Sequence, residues 1–525
     1  MNQSWIECIK SNIDGCTSLY HSLRTTLGPY GRDKLIVDQS HRHLTTNDGA
    51  TILQYLNLKN PTARLLIGIS KSQDTTIGDG TSSVILLTYI LLQNSYKYMI
   101  MSIHPMIFIK GYQIALQQCI DIINSLSIKF NLTDQLFDDT KFLEYLYSIA
   151  STSISSKILG RYIEHFSVLG VETIKKLKFN ENQDLIRVLS IRGTSMKDSR
   201  VIDGVLLELL DDNKSKPLPN NPKVVIGKLE LSQQQYQFPN CKILFSSNEN
   251  TSSAISDSQY YQKKLDILLK YGVNIVISDN ELPDILESLF EQNSIFYFKV
   301  TDSRELEVLS YCLGTQFLYD LSSIDDTKIS KPKQQKLMSI GDRFFLHLSG
   351  IDNSQSATVI LRTTTDTQGQ EAIRSFKDLL NILSITVRNP NIIAGGGCLY
   401  IELAKRLRLY SQDISNDKLK ISLNVFADSL EVIPLILIQN AGFQNSLELI
   451  EKLKSTHQSN ENHWKGINLH SGQITDMFEQ LKILEPSLLL INILTLSSRA
   501  AQMILRINNK VIIEPRSQFK PPNTL

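Results

Sequence analysis

From Val84 to Leu92 the chain reads Val-Ile-Leu-Leu-Thr-Tyr-Ile-Leu-Leu, an apolar run without alternation that predicts a helix buried on every side. It follows directly on the glycine-flanked segment Gly78-Asp79-Gly80-Thr81-Ser82-Ser83, so a polar loop opens onto a core helix. A second helical stretch, Ile401 to Leu407, follows Ala394-Gly395-Gly396-Gly397. In the middle of the chain the pattern changes. Lys223-Val224-Val225-Ile226-Gly227, Val273-Asn274-Ile275-Val276-Ile277 and Ser294-Ile295-Phe296-Tyr297-Phe298 are short apolar runs that predict buried strands. They alternate with a helical pattern over Gln262 to Leu269, which makes this segment mixed α/β. The polar tract Asp211-Asp212-Asn213-Lys214-Ser215-Lys216-Pro217 precedes it, and the stretch from Gln233 to Tyr260 is rich in serine, asparagine and glutamine, a composition that often lacks a packed core. Leu488 to Leu496 is the best apolar run elsewhere. Asn492 and Thr495 interrupt it, so no stretch is expected to reach the ~20 residues of a membrane span.

A length of 525 residues exceeds what one core usually supports and suggests about three domains. Hydrophobic residues at 42% and charged residues at 20% fit a soluble protein with a sizeable core. The formal net charge of +1 argues against nucleic acid as the main partner. Cys8, Cys16, Cys119, Cys241, Cys312 and Cys398 are scattered with no C-x-x-C spacing, which points to reduced thiols rather than zinc or a disulfide framework. Met1 to Trp5 is polar and no long apolar segment follows, so neither a signal peptide nor a membrane is expected, and the protein reads as cytoplasmic.

The chemistry concentrates in the loop before the apolar helix. Gly78 and Gly80 let a backbone approach a phosphate closely. The N–H groups and hydroxyls of Thr81, Ser82 and Ser83 would donate to its oxygens at the positive helix end. Asp79 would repel a bare phosphate, so its natural role there is to hold a magnesium ion. An Asp-Gly turn capping a core helix is the alternative.

Further motifs surround this one: Thr25-Thr26-Leu27-Gly28-Pro29-Tyr30-Gly31-Arg32-Asp33-Lys34, Thr46-Asn47-Asp48-Gly49-Ala50-Thr51, Lys71-Ser72-Gln73-Asp74, Ile103-His104-Pro105, Thr152-Ser153-Ile154-Ser155-Ser156-Lys157, Asp198-Ser199, Arg374-Ser375-Phe376-Lys377-Asp378, Asn440-Ala441-Gly442-Phe443 and Glu485-Pro486. On these segments the chain resembles the group II chaperonins, the TCP-1 family, and within it the eta-type subunits of the eukaryotic cytosolic chaperonin. The resemblance runs nearly end to end and is weakest from about 206 to 355.

It implies a multi-domain α and α/β chaperonin fold. A helical equatorial ATPase domain would comprise 1–132 and 396–525, an intermediate hinge domain 133–206 and 356–395, and an α/β apical substrate-binding domain 207–355, with a lid protrusion near 233–260. It implies an ATPase that uses ATP/ADP and Mg2+. Gly28, Pro29 and Gly80 to Ser83 would wrap the phosphates, and Asp79 would bind magnesium. Asp48 and Asp378 would orient the attacking water, a task for positioned carboxylates. Lys157, beside Ser156, would sense the terminal phosphate, while Gly396 and Glu485 contact the nucleoside side and Gly442 completes the set. The implied partners are seven paralogous subunits, in a double ring of eight per ring, and non-native clients such as actin and tubulin.

This chain departs from the pattern at Lys377, where relatives carry histidine, at Thr363-Thr364 in place of two glycines, and at Leu490, Arg499 and Asn508-Asn509 on the nucleotide edge. The stretch before Trp5 is short, and no glycine-rich tail precedes Leu525. Two other classes remain open. A non-hydrolysing chaperonin-like assembly scaffold would lose the catalytic carboxylates, whereas Asp48, Asp79 and Asp378 are all present. A small-molecule kinase would need a Walker A lysine or kinase signature, and neither occurs.

Overall fold

The computed structural model describes residues 3–37, 43–56, 60–131, 139–177, 186–193, 195–208, 221–229, 250–300, 302–341, 343–351 and 357–509. The chain divides into two compact units, one formed by Met1–Ile163 with Asn381–Leu525 and the other by Glu164–Leu380. The first stretch carries α1 (Gln3–Arg24), β1 (Lys34–Val37), β2 (His43–Thr46), α2 (Gly49–Tyr55), α3 (Pro61–Thr76), α4 (Thr81–Ile100), α5 (Pro105–Leu126), β3 (Ile128–Lys129) and α6 (Thr140–Ile154). Next come α7 (Ile163–Leu177), β4 (Ile186–Arg192), β5 (Arg200–Asp203), β6 (Val205–Glu208), β7 (Val224–Ile226), α8 (Asn250–Tyr271), β8 (Ile275–Ser278), α9 (Asp284–Gln292), β9 (Phe296–Lys299), α10 (Ser303–Cys312), β10 (Gln334–Ile340), β11 (Arg343–Ser349), β12 (Ala357–Thr363) and α11 (Asp366–Arg388). The return stretch adds β13 (Asn391–Ala394), α12 (Cys398–Gln412), α13 (Asp417–Leu430), α14 (Val432–Asn440), α15 (Ser446–Thr456), β14 (Lys465–Ile467), β15 (Ile474–Asp476), β16 (Leu484–Pro486) and α16 (Ser487–Leu505).

In the first unit the apolar run becomes the middle of α4, buried from Val84 to Leu92. Its polar groups are satisfied locally: Thr88 Oγ1 donates to Val84 O at 2.7 Å, and Tyr112 OH donates to Leu91 O at 2.9 Å. Helices α1, α3, α13 and α16 pack around it. The chain's two halves join in one small sheet, where β13 pairs antiparallel with β3 on one side and β16 on the other.

One expectation from the sequence is corrected. Asp417–Asn440 and Ser487–Leu505 are both long and apolar enough, by length and composition, to cross a membrane. Each is largely buried inside the unit, over 67% and 61% of its most apolar window. Asn492 and Thr495 do not break the second one, because α3 supplies a partner for the first and the helix's own backbone one for the second. Asn492 Nδ2 donates to Gln73 Oε1 at 2.7 Å and Thr495 Oγ1 to Ile491 O at 2.7 Å.

The second unit holds three three-stranded sheets, ordered β10-β11-β6, β4-β12-β5 and β7-β8-β9. The last is all parallel, and its strands are the continuous apolar runs that burial on both faces requires. Strands β8 and β9 begin two residues later than their apolar runs. Gly272 and Ser294 adopt positive φ, and Val273 N and Ile295 N bond back to Leu268 O and Phe290 O, so those first residues close the preceding helices. Residues 230–249, most of the segment expected to form the lid, lie outside the described residues, and the remainder belongs to α8.

A buried charge network fastens α12 to the segment after α15. Glu402 and His457 are both fully buried, with His457 Nδ1 at 3.0 Å from Glu402 Oε2 and His457 Nε2 at 2.7 Å from Lys465 O. Burial alone would raise the Glu402 carboxyl, but hydrogen bonds from His457 and Arg406 outweigh it and hold it down at about 2. A carboxyl so depressed stabilises the fold above its ordinary range and loses that contribution as pH falls toward 2. Replacing His457 by alanine should lower stability by about 3 kcal/mol at neutral pH. The deficit should shrink below about pH 4, as measured by chemical denaturation across pH.

Candidate nucleotide site

Two cavities meet in the first unit. The larger, of about 450 Å3, has apolar walls from Leu27, Ile433, Leu437, Ile467, Leu469 and Met477, and Tyr30, Gly396, His470 and Glu485 also line it. The smaller, of about 80 Å3, is polar: Asn47, Asp48, Gly49, Thr81, Ser82 and Lys157 line it. Leu27, Gly28, Asp79, Gly80, Ser83 and Ser156 border both, so they form one cleft with a roomy apolar end and a narrow polar end. The larger part falls within the size range of small-ligand pockets.

The start of α4 forms the junction. Its N-cap is Gly80, at φ 75°, and no side chain caps it. A residue with a Cβ there would be strained and would meet Ile493 Cδ1 at 2.7 Å. The free N–H groups of the first turn, with the positive helix end, favour an anion. Asp79 is held by its neighbours: its Oδ1 accepts from Gly80 N at 2.7 Å and its carbonyl from Gln73 Nε2 at 2.7 Å. Two more helices start at the cleft without a side-chain cap, α12 after Gly397 and α16 after Pro486.

Asp48 caps α2. Its oxygens accept from Ala50 N at 3.2 Å, Thr51 N at 3.0 Å and Thr51 Oγ1 at 2.6 Å. Gly49 packs on the start of α4 so closely that a Cβ would lie 2.4 Å from Ser82 Oγ. Asn47 Nδ2 donates to Ser156 O, which joins this loop to the end of α6.

Glu485 lies in β16, opposite Ile393, rather than capping α16. Burial pushes its carboxyl up to about 7; the negative Asp79 adds to the rise and the Gly396 N–H opposes it. The sequence also missed a contact at the cavity wall. Tyr30 OH and His470 Nδ1 share a hydrogen bond of 2.6 Å, with their rings edge-on at 5.6 Å. Tyr30 directly follows the Gly28-Pro29 motif and could have been found from it, whereas His470 lies in a turn with no motif.

Two site residues fall elsewhere. Gly442 lines neither cavity; it follows α14, and its motif partner Asn440 serves the Gly28-Pro29 turn by donating to Arg24 O and Leu27 O, both at 2.9 Å. Asp378 belongs to the second unit, buried on α11 beside an exposed Lys377. Leu490, on the nucleotide edge by sequence, is buried in α16.

Residues 19–515 match the TCP-1/cpn60 chaperonin family. The chain belongs to that family. It is 32% identical to T-complex protein 1 subunit beta of Saccharomyces cerevisiae, over 96% of this chain and 94% of the relative. It is 30% identical to T-complex protein 1 subunit eta of Arabidopsis thaliana, over 97% and 91%. Thermosome subunit beta of Sulfolobus acidocaldarius shares 27% over 98% and 92%. The protein is thus a group II chaperonin subunit with the multi-domain α and α/β chaperonin fold. Within the chaperonin, the apolar cavity walls suit a base and sugar, and the uncapped α4 start with Asp79 suits phosphates and a divalent cation.

A carboxyl raised by burial makes the folded state bind a proton more tightly than the unfolded state. Stability therefore falls as pH climbs from the ordinary glutamate value near 4.5 to about 7. In the Glu485→Gln chaperonin without nucleotide that slope should flatten, so its thermal midpoint gains on the parent as pH rises across that window; an unchanged difference would contradict the raised value.

Proposed function

We propose that this chaperonin subunit is an ATPase whose nucleotide occupies the joined cleft, and that hydrolysis drives a protein-folding cycle. The observation that carries the reading is the meeting of an apolar cavity and a narrow polar one at the uncapped start of α4, with Asp79 at the boundary. Asp79 would hold Mg2+, which when bound offsets the charge of the phosphates. The N–H groups of Thr81, Ser82 and Ser83, with the Gly28-Pro29 turn, would seat the phosphate oxygens, and Lys157 with Ser156 would close the polar end. Gly396 and Glu485 would face the nucleoside. For Gly442 the geometry supports an indirect role, through the turn that Asn440 holds.

Asp48 and Asp378 are proposed to serve the attacking water. Asp48 already accepts three hydrogen bonds, which fix its position and suit it to orienting water. Asp378, buried on α11, is proposed to accept the proton.

By resemblance to subunits of T-complex protein 1, we further propose eta-like placement and three functional parts, equatorial, intermediate and apical, with the bounds given above. The cytoplasmic assembly would have two rings of eight, built with seven paralogous chains, and would enclose non-native clients such as actin and tubulin. Enclosure keeps aggregation-prone intermediates apart while they fold.

The test is Mg2+-dependent ATP turnover by the full-length chain in its native particle, whose mass and composition are measured alongside. In the isolated full-length chain, where no paralogous subunit contributes turnover, Asp378→Ala should keep nucleotide affinity within a few-fold and slow hydrolysis by about 100-fold or more. Asp79→Asn should weaken Mg2+-nucleotide binding itself. Turnover by the isolated chain that neither change affects would contradict the assigned roles, and no turnover by the parent chain, or a particle without related subunits, would favour the assembly scaffold.

A further inference from the structure

Behind the Gly28-Pro29 turn lies a separate cavity of about 270 Å3, lined by His21, Arg24, Thr25, Arg32, Gln439 and Asn440. Three of these side chains are basic, and no carboxylate lines the cavity among the described residues. His21 and Arg24 sit in the last turn of α1, where cations complement the helix dipole. That accounts for them but not for Arg32, which lies in the turn beyond the helix.

Two further observations favour a ligand. The hydroxyl Thr25 Oγ1 is buried with no hydrogen-bond partner, although buried polar groups nearly always have one. The carbonyls that would repel an anion are already engaged: Asn440 Nδ2 donates to Arg24 O and Leu27 O, and Gly442 N donates to Gln439 O at 3.1 Å. The Arg24 guanidinium occupies Gln439 Oε1, which leaves the amide of Gln439 to donate. The cavity therefore offers donors and positive charge together.

We propose that this cavity binds a phosphate-type oxyanion, held by Arg24, Arg32, the Thr25 hydroxyl and the Gln439 amide. Its several oxygens match donors that converge from two helix ends and one turn. The ligand would brace the turn from behind, where Arg32 N bonds Thr25 O and Gly31 N bonds Gly28 O, each at 2.8 Å. The same turn carries Gly28 to the cleft, so an occupied site would stiffen one wall of it. Binding itself stands whether or not the cleft hydrolyses ATP.

Equilibrium dialysis of the full-length chain against radiolabelled inorganic phosphate, at constant ionic strength and without nucleotide, tests the site. Arg32→Gln should weaken one saturable component by about tenfold or more, the effect of losing a charge-assisted hydrogen bond. Thr25→Val, close in shape, should weaken the same component several-fold. Lys157→Gln, at the polar end of the cleft, should leave that component intact. Loss in Lys157→Gln with retention in Arg32→Gln would place the phosphate in the nucleotide cleft and overturn the proposal, as would no saturable binding. Displacement by an equal concentration of acetate would overturn the phosphate assignment in favour of a carboxylate.

Discussion

One strand closes the first unit. β13 lies between β3 and β16, so residues 128–129, 391–394 and 484–486 share a sheet although the whole second unit is inserted between the first two of these segments. Every wall of the cleft depends on that closure. The Gly28 turn and the α4 start come from the first stretch of chain, and Gly396, His470 and Glu485 from the last. Polar ties hold the two together at single points. Asn440 grips the turn after α1, and the Asn492–Gln73–Asp79 relay links α16 to the carboxylate loop through two hydrogen bonds of 2.7 Å.

Electrostatically the cleft is a balance between acidic groups and helix ends. Asp79 and Glu485 border one cavity, and their mutual repulsion contributes to the raised Glu485 carboxyl. Three uncapped helix starts, those of α4, α12 and α16, place positive partial charge around them. Asp48 works differently. Its three capping bonds at the start of α2 give it a fixed place.

Much of this was legible in the sequence, because the informative signals were local. The apolar run before Gln93 reads as a core helix, and Gly78 to Ser83 as the polar turn that opens it, with an anion seat and a plain helix cap both open from the residues alone. The strands at 224–226, 275–278 and 296–299 followed from their apolar runs, displaced only where a positive-φ residue ended the helix before them. What stayed hidden was long-range. Nothing in the residues of α16 shows that Gln73 receives Asn492, so the run from Leu488 to Leu496 looked too interrupted to continue as a long apolar helix. The Tyr30–His470 contact joins positions 440 apart. The role of Asn440 likewise exists only once α14 lies against the turn after α1.

The near-total burial of α4 has a cost in time. Its covering helices α13 and α16 are encoded hundreds of residues downstream, and a ribosome adding 5–20 residues per second would take roughly 20 to 80 seconds to reach α16 after finishing α4. For that interval a strongly apolar segment has emerged before the surfaces that will shelter it exist. This chaperonin subunit is thus, during its own synthesis, a chain in need of protection.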